Sequence, residues 1–169
     1  ENNVLTDFTR TGTYNRCRPF HTTISPSMDI LVSSNLERLL YDMTNGDAEK
    51  VSGWMRQLSE TGSYTVDAET LAKIQSVFYA DFCDDTATMQ TVKKMKETEN
   101  YLSDPHSAVA FEVYHRYHAV SGDQTPTVVV STASPYKFSA SVLTALGSEL
   151  YAQDGVNDEF EQVYQLSAL

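Results

Sequence analysis

Thr127-Val128-Val129-Val130-Ser131-Thr132-Ala133-Ser134-Pro135-Tyr136-Lys137-Phe138 reads as a buried strand running into a polar exit. The three valines are too few for a helix and apolar on both faces, which is the pattern of a strand inside a parallel sheet. Ser131, Thr132 and Ala133 are small or hydroxylated, and Pro135 prevents the strand from continuing. In open α/β sheets ligands collect at the carboxyl ends of strands, so the hydroxyl pair is placed to meet one. The same residues also suit a plain turn or helix cap. Spacing alone leaves both readings open.

Working upstream, Asp104-Pro105-His106 carries an N-cap and a proline at the first helical position, and a helix from there ends at Gly122. Asp84-Asp85 caps a preceding helix through Met89, Val92 and Met95, and the aromatic run from Val77 to Phe82 before it reads as a second strand. Three short helices come earlier. Ser34-Asn-Leu-Glu37 has the spacing of a capping box, Asp47 caps a helix stopped by Gly62, and Asp67 opens the third. Glu1 to Phe8 reads as a loop entered after a strand, Thr9 to Tyr14 as loop, and most of Asn15 to Ser27 as irregular. Downstream, a helix is expected over roughly Ser139 to Leu146, then an acidic tail that turns helical near Phe160 to Leu166.

This alternation gives an α/β class with a partial doubly wound sheet. The expected parts are a helical insert at about 34–76, a strand-helix-strand core at about 77–147, and a tail at 148–169. About two strands are too few for a complete sheet. The chain therefore reads as a fragment of a larger domain whose other strands lie elsewhere.

A net charge of −11 argues against nucleic acid and against anionic membrane surfaces. No apolar run approaches the ~18 residues of a spanning helix. Two cysteines, Cys17 and Cys83, make no disulfide framework and point to a reducing cytoplasm. Glu112-x-x-His115 and His115-x-x-His118 have metal-site spacing, but no second motif completes a di-metal bundle, so no metal is expected. Arg16 and Arg18 flank Cys17 without a His and Asn arranged around the thiol. Arg10, Arg16 and Arg18 are the one basic cluster, suited either to an anionic substrate or to pairing with neighbouring acids. No phosphate-binding glycine motif occurs.

Five ordered blocks, however, resemble threonine synthase. They are Asn2-Asn-Val-Leu-Thr-Asp-Phe-Thr-Arg-Thr-Gly-Thr-Tyr14, Thr23-Ile-Ser-Pro-Ser-Met-Asp-Ile30, Ser33-Ser-Asn-Leu-Glu-Arg-Leu-Leu40, Tyr101-Leu-Ser-Asp-Pro-His-Ser-Ala-Val-Ala110 and Val130-Ser-Thr-Ala-Ser-Pro-Tyr-Lys-Phe138. The resemblance implies a pyridoxal 5'-phosphate enzyme of the tryptophan-synthase-β-like fold (fold type II). Such an enzyme converts O-phospho-L-homoserine and water to L-threonine and phosphate. It also implies that a strand-end hydroxyl, Thr132 or alternatively Ser131, meets the cofactor's pyridine nitrogen. From motif membership and loop chemistry, Asn3, Arg10 and Asp29 are expected in the substrate walls.

The family's Schiff-base lysine and phosphate loop belong to its N-terminal half and have no counterpart here. Lys137 sits in a C-terminal block instead. No catalytic residue is therefore expected in this chain. Its partner would be the missing N-terminal half, turnover alone would be absent, and an exposed sheet edge could drive self-association. The rival reading is a non-catalytic acidic protein-interaction module.

Overall fold

The computed structural model describes residues 2–147 and 158–167. The chain divides into two compact units, residues 1–22 with 28–82, and residues 23–27 with 83–169.

In the first unit α1 (Val4–Thr11) leads into β1 (Thr13–Asn15), followed by α2 (Leu36–Met43), α3 (Ala48–Thr61), β2 (Ser63–Thr65) and α4 (Ala68–Val77). The loop expected at the start is instead helix α1. Val4 and Phe8, four residues apart, face the core at 1% exposure each. The hydroxyl-rich sequence is accommodated because Thr9 and Thr11 donate back to the carbonyls of Leu5 and Asp7, at 2.8 and 2.7 Å. Gly12 ends the helix in the left-handed region at φ 75°, with its N–H on the Phe8 carbonyl.

The expected loop at Tyr14 is also strand. β1 and β2 pair antiparallel, Tyr14 opposite Tyr64. Those two rings stack at 5.4 Å, with Phe8 and Trp54 closing the cluster. Leu40, Val51, Leu58 and Ile74 complete one core, so α2, α3 and α4 share it with α1 and the ribbon. Burial raises the Tyr14 phenol's pKa above its ordinary value, and its hydroxyl donates to the Leu31 carbonyl at 3.0 Å.

Asp47 and Asp67 cap α3 and α4 as expected, accepting from the N–H of Lys50 and Thr70. The Ser34 capping box does not form. The helix starts at Leu36, which puts Glu37 second in the first turn rather than third, out of reach of the reciprocal bond. The run from Val77 to Phe82 is not a strand. Val77 closes α4, and Val77, Phe78, Tyr79 and Phe82 are exposed.

The second unit holds α5 (Asp85–Glu99), α6 (Pro105–Ser121), a 3-10 turn (Pro135–Phe138), α7 (Ser139–Leu146) and α8 (Glu159–Ser167). Val92, Leu102, Ala108, Val142, Leu143 and Val163 form its core. The caps at Asp84 and Asp104 and the stop at Gly122 agree with the sequence, as do α7 and the helical part of the tail. The remaining tail residues, 148–157 and 168–169, lie outside the described residues.

The valine run departs most from expectation. Residues 123–134 form no strand, and Val128 and Val130 are 85% and 67% exposed. A strand apolar on both faces needs neighbours, and β1 and β2 are the only paired strands among the described residues.

Candidate functional site

Three separate segments of the second unit meet around the N-terminus of α6. Asp104 is the cap, with a fully buried side chain. One carboxylate oxygen accepts from the N–H of His106 at 2.8 Å and of Ser107 at 3.4 Å, and from the His106 ring Nδ1 at 3.0 Å. The other accepts from the Ser107 hydroxyl. The His106 Nε2 accepts from the Ser27 N–H at 3.1 Å, which assigns the ring proton to Nδ1. The ring packs on Phe138, centroids 4.6 Å apart. The cap chemistry was legible in Asp104-Pro105. The neighbours at Ser27, Ser131 and Phe138 were not, because no local pattern announces a contact across 79 positions of sequence separation.

The polar exit lies beside this cluster. The Ser131 hydroxyl is 3.1 Å from that of Ser107 and 3.3 Å from the Tyr101 hydroxyl, and it donates to the Ala133 carbonyl at 3.3 Å. Thr132, the next residue, is exposed, and none of these bonds uses its hydroxyl. Lys137 extends over the Phe138 ring at 5.5 Å. A groove of about 670 Å³ adjoins the valine run, with Met95, Tyr101, Phe111, Tyr114, His115 and Val129 among its walls. Glu112 is tied to Arg116 at 2.8 Å and His118 to Gln124 at 3.1 Å. The described residues contain no group of three His, Cys, Asp or Glu side chains placed to hold a metal.

The first unit carries a second polar network. Arg18 donates to Asp7 at 2.7 Å, to the Asn3 side-chain oxygen at 2.9 Å and to the Asn15 carbonyl at 2.9 Å. Asn2, beside Asn3, donates to Asp29 at 3.1 Å and exchanges bonds with the backbone of His21. Asn3 and Asp29 are therefore anchored through one asparagine pair. Arg10 is not with them. It sits seven residues along α1 from Asn3, about 10 Å along the axis, and pairs with Asp81 at 2.9 Å. Of the basic cluster, Arg10 and Arg18 pair with acids and Arg16 donates to the Ser59 carbonyl.

A sequence profile for the C-terminal region of threonine synthase matches residues 107–168, from Ser107 through both exit hydroxyls. Threonine synthase-like 1 of Macaca fascicularis is 38% identical over 147 residues, 86% of this chain. The crystal structure of pyridoxal-phosphate-bound threonine synthase from Brucella melitensis superposes with a TM-score of 0.80 at 36% identity over 88% of the chain. Threonine synthase from yeast does so with a TM-score of 0.82 at 32% identity over 99%.

The chain is a homologue of part of threonine synthase. It spans 19% of the macaque protein's length and 31% and 36% of the two crystallised chains. It therefore holds part of the α/β fold of these threonine synthases. The family profile takes in Ser131 and Thr132 but not Asn3, Arg10 or Asp29.

Proposed function

We propose that this chain is the C-terminal portion of a pyridoxal-phosphate-dependent threonine synthase of the cytoplasm. The whole enzyme converts O-phospho-L-homoserine and water to L-threonine and phosphate. An N-terminal half supplies the Schiff-base lysine and the remaining strands, and the present chain turns over no substrate alone. Residues 34–76 act as a helical insert, and residues 77–147 bring the strand-forming runs to the shared sheet. Left without its partner half, the chain self-associates through the bare run.

The observation that carries this reading is the exposed Thr132 hydroxyl at the end of a valine run that has no strand neighbour among the described residues. The donor set suits a pyridine nitrogen. Ser131 and Thr132 are neutral, and the nearby Lys137 cation is engaged with an aromatic face. A hydroxyl there binds the ring without protonating it. When bound, the cofactor serves as electron sink, and the protein supplies orientation and electrostatics. Asn3 and Asp29, held by the Asn2 and Arg18 networks, and Arg10 further along α1, are assigned to the substrate walls.

The test is Thr132→Val in the full protein that carries this chain. Val keeps the shape of an exposed side chain, so the melting temperature should hold. Activity should fall about tenfold for the loss of one hydrogen bond, with a shift in the cofactor's absorption, and Thr132→Ser should restore both. Unchanged kinetics and spectrum would sink the assignment. Borohydride reduction followed by peptide mapping should place the trapped cofactor on a lysine outside residues 1–169. Trapping on Lys137 would reverse the division of labour.

A further inference from the structure

We infer that Asp104 and Ser107 are positioning residues that commit the Ser131 hydroxyl to the protein and leave the Thr132 hydroxyl as the one free to meet the cofactor ring. This rests on the cofactor reading above and goes further, since that reading accepts either hydroxyl.

All four contacts of Asp104 are made by donors: two backbone N–H groups, the His106 Nδ1–H and the Ser107 hydroxyl. His106 can offer Nδ1–H because its Nε2 is taken by the Ser27 N–H. Burying a carboxyl group requires such partners. Ser107 has a single hydroxyl proton, and the contact to the carboxylate is its shorter and stronger one. Towards Ser131, at 3.1 Å, Ser107 is again the donor, so its one proton is shared between the carboxylate and Ser131.

The Ser131 proton is directed to the Ala133 carbonyl, while its lone pairs receive the Tyr101 and Ser107 hydroxyls. The hydroxyls of Tyr101 and Ser107 both converge on Ser131. Ser131 has no proton to spare for a ring nitrogen. Thr132 has one. The relay also fixes the backbone of the exit, because Ser131 is tied on both sides of the residue that must present the hydroxyl. Asp104 therefore acts on the exit through the Ser107 hydroxyl, without touching the cofactor.

The experiment is equilibrium titration of pyridoxal phosphate onto the cofactor-free full protein, read by fluorescence, with the absorption maximum of the bound form. Ser107→Ala should weaken binding about threefold to tenfold, the worth of one hydrogen bond, and move the maximum. Ser107→Thr, which keeps the hydroxyl, should restore both. If Ser107→Ala does not fold, Asp104→Asn carries the same test. Asparagine is an equally good cap, but its NH₂ facing Ser107 reverses the relay. Should the relay variants bind as wild type while Thr132→Val is impaired, the relay falls and the cofactor reading stands. Should Thr132→Val also bind as wild type, both fall.

Discussion

The ribbon of the first unit and the valine run of the second are both short extended segments, and they end in opposite states. Tyr14 and Tyr64 are 1% and 2% exposed in a pairing only three residues long. Val128 and Val130, with stronger β-formers at every position, are 85% and 67% exposed. What separates them is a partner. β1 and β2 meet inside one unit and roof a core of Phe8, Trp54, Leu40 and Ile74. The valine run meets no strand among the described residues. β-propensity measures fit to a pleated, covered surface, so a strand-like sequence is a statement about a neighbour as much as about itself.

The largest expected effect follows from that difference. Phe8→Ala should destabilise this chain by about 3–5 kcal/mol in urea denaturation, as a cavity in a closed core. Val128→Ser should stay within about 0.5 kcal/mol, as a surface change. In the full protein the valine substitution should become costly if the run joins the sheet as proposed, with both faces then covered by other layers. An equal loss from the two substitutions in the chain alone would mean that the run is already paired, and the comparison would break.

The glycines at helix ends sharpen it by a smaller margin. Gly62, after α3, and Gly122, after α6, both sit at positive φ, 79° and 65°. Alanine at either carries the left-handed penalty of about 1–2 kcal/mol. At Gly62 the added carbon would also meet the Cys17 sulfur in the first unit, whereas at Gly122 it would meet open space. Gly62→Ala should therefore lower the melting temperature more than Gly122→Ala, unless the exposed Cys17 side chain rotates away freely.

Both glycines were legible in the sequence, as were the caps at Asp47, Asp67, Asp84 and Asp104, because a helix end is specified by a handful of adjacent residues. Helix α1 was not legible. Its threonines and the asparagines before it read as loop, and the back-bonds of Thr9 and Thr11 that reconcile them with a helix depend on burial of Val4 and Phe8 in a core that reaches as far along the chain as Tyr64 and Ile74. The capping box at Ser34 had the right letters one residue out of register. At the candidate site the exit hydroxyls could be read from their place after the valines. Ser107 and Asp104 looked like helix-start chemistry and nothing more, since their contact with Ser131 spans 24 residues and exists only once α6 and the exit are packed.

The two cysteines test the same contrast at the level of single side chains. Cys17 in the first unit is exposed, its thiol donating to the Thr61 carbonyl at 3.8 Å. Cys83, where the second unit begins, is half-buried. Burial pushes its thiol above the ordinary range, against the opposing hydrogen bond from Thr88. The thiolate is the reactive form, so a raised pKa leaves less of it at pH 8. Iodoacetamide at that pH should label Cys17 first and Cys83 about tenfold more slowly. The Cys83 rate should climb between pH 8 and pH 10 as its proton is lost, even with the fold intact. Equal labelling at pH 8 would place Cys83 in open solvent, and the packing at the start of α5 would then be looser than the Asp84 cap and the buried Thr88 and Val92 require.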